Sequence, residues 1–102
     1  MLKRFITKEA KADMANIRMF TRQNWGEEQS IRYLNEINDK IVLLSQMPAL
    51  GIDHSKEYGY DVHSCFVASH AIYYQYDEST LVIRAVLHQS RIPKTHLQQR
   101  TK

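Results

Sequence analysis

Residues 69–97, SHAIYYQYDESTLVIRAVLHQSRIPKTHL, constrain the fold of this chain more than any other stretch. Ile72, Tyr74 and Tyr76 alternate with Ala71, Tyr73 and Gln75, so each set takes one face of an extended strand. Asp77-Glu78-Ser79-Thr80 interrupts the alternation with polar turn residues. Leu81-Val82-Ile83 and Ala85-Val86-Leu87 then resume it around Arg84. Aromatic and β-branched enrichment, a period of two and a four-residue polar break together predict a β-hairpin, followed by a short basic tail.

A hairpin buries its apolar face only against something else, and the residues before it supply the cover. Leu2 to Ile6 reads as a short edge strand, and Thr7 is a candidate N-cap for the helix formers that follow. Ala10, Met14, Ile17 and Thr21 recur at helical spacing, with Asp13 and Phe20 alongside, and the helix ends near Gly26. A second helix runs from Glu27 to about Gln46, with Ile31, Leu34, Ile37, Ile41 and Leu44 as its apolar stripe. Pro48 and Gly51 stop it, and Ile52 to Tyr58 reads as a loop. From Tyr60 and Val62 the pattern alternates into a strand reaching Val67. The order is β-α-α-β-β-β. Segregated helices and strands predict an α+β domain, an antiparallel meander with an N-terminal helical hairpin packed on one face.

At 102 residues the chain has room for one domain, taken as 1–102, and one that can fold without disulfides. The single cysteine, Cys65, fits a reducing compartment. The N-terminus lacks an apolar run of signal-peptide length and no segment approaches a membrane span, so a cytoplasmic protein is expected. Charge is uneven. Residues 1–83 carry nine cations against eleven acids, whereas residues 84–102 carry Arg84, Arg91, Lys94, Arg100 and Lys102 and no acid. His88 and His96 lie in the same stretch, and the asymmetry points to an acidic or nucleic-acid-containing partner at the C-terminal end.

The usual constellations for catalysis are missing from the sequence. His54, His63, His70, His88 and His96 show no metal-binding spacing and no cysteine pair accompanies them, so neither metal nor cofactor is expected. His70 and His88, at a strand start and a strand end, become neighbours if the hairpin pairs in register. Ser64, Cys65 and Ser69 lack the glycine pattern of a nucleophile elbow, and the three glycines are too scattered for a phosphate loop. What remains is a basic and aromatic set: Tyr74, Tyr76, Arg84, His88, Arg91, Lys94 and His96. A ribonuclease could use these types for phosphate stabilisation and proton transfer, and a protein-binding surface could use them as anchors.

Four segments together resemble the ParE branch of the RelE/ParE toxin superfamily. They are WGEEQSIRYLNEI from Trp25, MPALG from Met47, SHAIYYQY from Ser69 and VLHQSRIPKTHL from Val86, in the family's order and spacing from about Phe5 to Leu97. The resemblance implies the toxin half of a bacterial type II toxin–antitoxin module. It implies a protein that inhibits DNA gyrase by binding rather than by catalysis, and that a ParD-like antitoxin neutralises. The RelE relatives are instead ribosome-dependent mRNA endonucleases, and such an activity, through Arg84, His88 and Arg91, is the alternative. A plain interaction domain without toxicity is a third reading.

The chain also departs from the family's pattern. His63 and Ala85 stand where the family often has arginine, and Arg91-Ile92 replaces a common methionine-aspartate. Strand alternation turns Arg84 away from the face of Ala85, so no phosphate-contacting arginine is carried over. No tyrosine follows Tyr76, which departs from the RelE-type catalytic set and favours gyrase inhibition. His88, Arg91, Lys94 and His96 are the expected target contacts. Ile17, Phe20, Tyr74 and Tyr76 are the expected antitoxin contacts. Ser69 to Leu87 is expected to be scaffold, and residues 88–102 a basic tail whose removal spares folding and antitoxin binding.

Overall fold

The structure, a computed structural model, describes residues 1–91, 97 and 100. The chain runs β1 (Lys3–Ile6), α1 (Lys8–Trp25), α2 (Glu27–Gln46), a 3-10 turn (Pro48–Leu50), β2 (Ile52–Asp53), α3 (Ser55–Tyr58), β3 (His63–Val67), β4 (His70–Tyr76) and β5 (Thr80–His88). This is the expected α+β order with two short additions. The stretch read as a loop holds β2 and α3, and β3 starts at His63 rather than at Tyr60. Asp53 makes α3 possible, because its carboxylate accepts the Ser55 N–H at 2.8 Å and so satisfies a donor of the first turn.

The helical hairpin follows from its termini. Thr7 caps α1, its hydroxyl accepting the Ala10 N–H at 3.1 Å. Gly26, at φ 95°, reverses the chain between the helices. Its N–H donates to the Arg22 carbonyl and its carbonyl accepts from Ser30 N–H, so one residue closes α1 and opens α2. The buried line of α2 passes through Ser30, Ile37, Ile41 and Leu44. Ile31 is not in it and is 50% exposed. Ser30 takes the inward position of that turn, and its neighbour lies about 100° around the helix.

The sheet order is β1-β5-β4-β3-β2. Strands β2 to β5 form the antiparallel meander, and β1 joins it parallel to β5. The polar turn works through Asp77, whose carboxylate accepts the Ser79 and Thr80 N–H groups at 2.9 and 2.8 Å. Between β4 and β5 the register slips: Tyr74 opposes Ile83 and Tyr73 opposes Ala85, leaving Arg84 as the extra residue of a β-bulge. The bulge resets the alternation. Leu81, Ile83 and Val86 face the helices, while Ala85 and Leu87 face the other way. Arg84 reaches Gln75 Oε1 with its Nε at 2.7 Å, on the same outer side as Ala85. The expectation that Arg84 and Ala85 take opposite faces is thereby corrected; a regular strand alternates, a bulged one does not.

Both faces of the sheet are covered. The helical hairpin buries Ile72, Tyr74, Leu81, Ile83 and Val86 beneath Ala10, Ile17, Ile37, Ile41 and Leu44. On the far face Tyr58, Val62, Ala71, Tyr73, Ala85, Leu87 and Leu97 form a second core. Leu97 is fully buried there and is part of the core. Cutting the chain at residue 88 removes core, and the expectation that such a truncation spares folding is withdrawn. Among the described residues no helix is long and apolar enough to cross a membrane.

Candidate functional site: a groove beside the open edge of the last strand

Strand β5 has nine residues, but β1 has four and covers only Thr80 to Ile83. Beyond Ile83 the outer edge of β5 has no strand beside it among the described residues, and α1 passes alongside instead. The space between them is a groove of about 750 Å³. Helix α1 contributes Glu9, Ala12, Asp13, Asn16, Ile17 and Phe20 to its walls. The strand ends contribute His70, Val86, Leu87 and His88, and Ser90, Arg91 and Arg100 complete it.

One ion pair organises this groove. Arg100 grips Asp13 in a two-point fork, Nη1 to Oδ2 at 2.6 Å and Nη2 to Oδ1 at 3.0 Å. Both side chains are mostly buried, at 18% and 13% exposure. The fork with Asp13 holds the guanidinium pKa above its usual range, against the opposing effect of burial. Asp13 Oδ2 also accepts the Val86 N–H at 3.0 Å.

The expected pairing of His70 and His88 is observed: they are direct partners across β4 and β5, with ring centroids 5.3 Å apart, edge to face. Burial, then the neighbouring His88, lowers the His70 pKa, so this imidazole is neutral near pH 7. The Tyr33 hydroxyl lies 2.6 Å from His70 Nδ1 and 3.1 Å from the Val67 carbonyl. A carbonyl only accepts, so Tyr33 gives it its single proton and His70 donates from Nδ1 to Tyr33. That leaves His70 Nε2 as an acceptor. His88 is held from its other side, where Nδ1 accepts the Ser90 N–H at 3.1 Å.

The expected site residues are redistributed. Ile17 lies in the groove wall and is nearly buried, whereas Phe20 stands 63% exposed beside it. His88 and Arg91 are exposed on the opposite wall. Residues assigned from sequence to two separate surfaces thus share one groove. Lys94 and His96 lie outside the described residues. Tyr76 is half-buried elsewhere, its ring 5.0 Å from His63. Tyr74 is corrected outright: it is 0% exposed and no partner can touch it. Its hydroxyl donates to the Pro48 carbonyl at 2.7 Å and accepts the Gly51 N–H at 3.0 Å, so it locks the turn after α2.

Sequence reasoning missed Asp13, Arg100 and Glu9 as members of the site. The available signal for Asp13 was an acid beside the apolar stripe of α1, four residues before Ile17. A second constellation resembles a hydrolytic triad: His54 Nε2 sits 2.7 Å from Ser64 Oγ, with Glu57 Oε2 3.4 Å from Nδ1. Ser64 is only 2% exposed, so a substrate carbonyl cannot approach its oxygen. The chain of bonds ties α3 to β3 instead.

A helical hairpin on one face of a five-stranded sheet, with a groove beside the last strand, defines a small α+β domain shared by several families. The model of one such family, the ParE toxin of the parDE type II toxin–antitoxin system, matches residues 5–93, and the chain belongs to that family. It is 33% identical over 93 residues to Toxin ParE1 of Caulobacter vibrioides, covering 90% of this chain and 94% of that protein. Its fold matches a solved structure, the chromosomal ParDE toxin–antitoxin system from P. aeruginosa, with a TM-score of 0.74 at 17% identity. That match covers 86% of this chain and 96% of the other.

Proposed function

We propose that this chain halts growth by binding DNA gyrase in the cytoplasm, not by its own catalysis, and that a ParD-like antitoxin neutralises it from the α1–β5 groove. The observation that carries this reading is the meeting of Phe20 and Ile17 with His88 and Arg91 in one groove. An apolar partner segment laid on Phe20 and Ile17 also covers His88 and Arg91, so neutralisation follows from occupancy. The groove offers an aromatic anchor, Phe20, on one wall and an arginine, Arg91, on the other, a combination typical of protein interfaces.

The test is to add the purified chain to gyrase and relaxed plasmid. Supercoiling should stop or cleaved DNA accumulate, and prior addition of the antitoxin should prevent both. No effect at stoichiometric excess overturns the gyrase reading. Transcripts cut at ribosomal A sites upon expression, with gyrase unaffected, replace it with the mRNA endonuclease reading.

A further inference from the structure

His70 and His88 stand directly opposite each other on neighbouring antiparallel strands, so their side chains leave the same face of the sheet. Their ring centroids are 5.3 Å apart. Two imidazoles bound through nitrogen to one tetrahedral ion, with bonds of about 2.0–2.1 Å, place their ring centres roughly 5 Å apart. Each ring also has an oxygen on its Nδ1 side: Tyr33 Oη is 2.6 Å from His70 Nδ1, and Ser90 Oγ is 2.8 Å from His88 Nδ1. A metal-bound imidazole donates its other N–H to such an oxygen, which fixes the tautomer and the ring. His70 already has this form, with the Nε2 lone pair free. His88 reaches it by shifting its proton from Nε2 to Nδ1 and donating to Ser90 Oγ, while the exposed Ser90 N–H turns to water. Among the described residues neither Nε2 has a hydrogen-bond partner, and both side chains line the groove.

We propose that His70 and His88 bind one divalent ion of the zinc class through their Nε2 atoms, with water in the remaining positions. Among the described residues no third histidine, cysteine or carboxylate joins them, so two protein ligands give a micromolar rather than a nanomolar constant. Imidazole selects zinc, copper or nickel over magnesium and calcium. The exposed charges of the groove do not oppose a cation, since Glu9 balances Arg91 and Asp13 is paired with Arg100. The two ligands lie on different strands, so no metal-binding spacing marks them in the sequence. The site needs neither the antitoxin nor the toxin's target.

The test uses the full chain without a histidine tag, freed of metal by a chelator and titrated with zinc chloride by calorimetry. One ion per chain should bind with a micromolar constant, and zinc at about ten times that constant should raise the melting temperature by about 5 °C. Imidazole nitrogen resonances should show Nε2 of both histidines shifted by zinc and Nδ1 of both protonated. His70→Gln and His88→Gln should each weaken binding about tenfold or more, with circular dichroism as the control of folding. His88 is exposed, so His88→Gln decides the matter if His70→Gln does not fold. No binding up to millimolar zinc, or unchanged affinity in folded His88→Gln, overturns the site. Displacement of the zinc by excess magnesium overturns the imidazole ligand set.

Discussion

Tyr74→Phe removes one oxygen and separates the two roles that Tyr74 could have. The hydroxyl bridges the Pro48 carbonyl and the Gly51 N–H, at 2.7 and 3.0 Å, across the turn that follows α2. Phenylalanine fills the same space but leaves a donor and an acceptor without their partner. Each such group costs about 1–3 kcal/mol when buried, and both turn residues are half-buried, so the sum lies near the low end, about 2 kcal/mol. With an unfolding entropy of roughly 2.1 cal/mol/K per residue, each kcal/mol moves the melting temperature of a domain this size by about 5 °C. Calorimetry should therefore show a fall of about 10 °C. Antitoxin affinity, titrated well below the transition, should not change, because Tyr74 has no exposed surface. A melting temperature within about 3 °C of the original refutes the account of the bridge. Weakened binding by the folded variant refutes the removal of Tyr74 from the partner surface.

The remaining expectations follow from burial and position. Ile37→Ala, at a fully buried site, should cost about 3 kcal/mol in urea unfolding, whereas Ile31→Ala should stay within about 0.5 kcal/mol; equal costs overturn the α2 stripe through Ser30. Burial pushes Tyr73 and Tyr74 up to about 12 from 10.0. Because the folded values are raised, the associated stability is complete below pH 10 and is lost as pH rises towards 12, which alkaline melting with tyrosinate absorbance will follow. Phe20→Ala should leave the melting temperature unchanged and weaken antitoxin binding by roughly 2 kcal/mol, measured by calorimetric titration. His88→Ala with Arg91→Ala should keep the fold and abolish growth arrest upon induction; full toxicity would place the target surface elsewhere.

The local devices of this chain were legible because their causes are local. Thr7 three residues before Ala10, Gly26 between two amphipathic stripes, and Asp77 before Ser79 and Thr80 each act within one turn of chain. Neighbouring residues therefore carry the pattern, and the α+β order follows from it. The register of β4 and β5 was legible at its end, where His70 meets His88, because a strand start and a strand end meet there if the hairpin pairs in register. Ile31 misled because an apolar residue about 100° off the stripe still matches a loose helical period.

Packing between distant segments decided the rest. The bulge at Arg84 lets Leu81 and Ile83 share the helical face with Val86, a choice set by what lies above and below the sheet. Tyr74 looks like its neighbours Tyr73 and Tyr76 in sequence, and only the turn at Pro48 and Gly51, folded against it, makes it core. The groove itself depends on β1 ending at Ile6, opposite Ile83, which leaves the outer edge of the last five residues of β5 without a strand beside it among the described residues. Asp13 and Arg100 are 87 residues apart, and Asp13 and Val86 are 73 apart. Pairs at such separations impose no periodicity on the sequence between them, so a reading by local pattern cannot find them. By itself the sequence determined which segments form helices and strands, since those choices are made by neighbouring residues. The tertiary structure alone decided which of these residues meet to form the site, because burial of both sheet faces dictates how the segments are brought together.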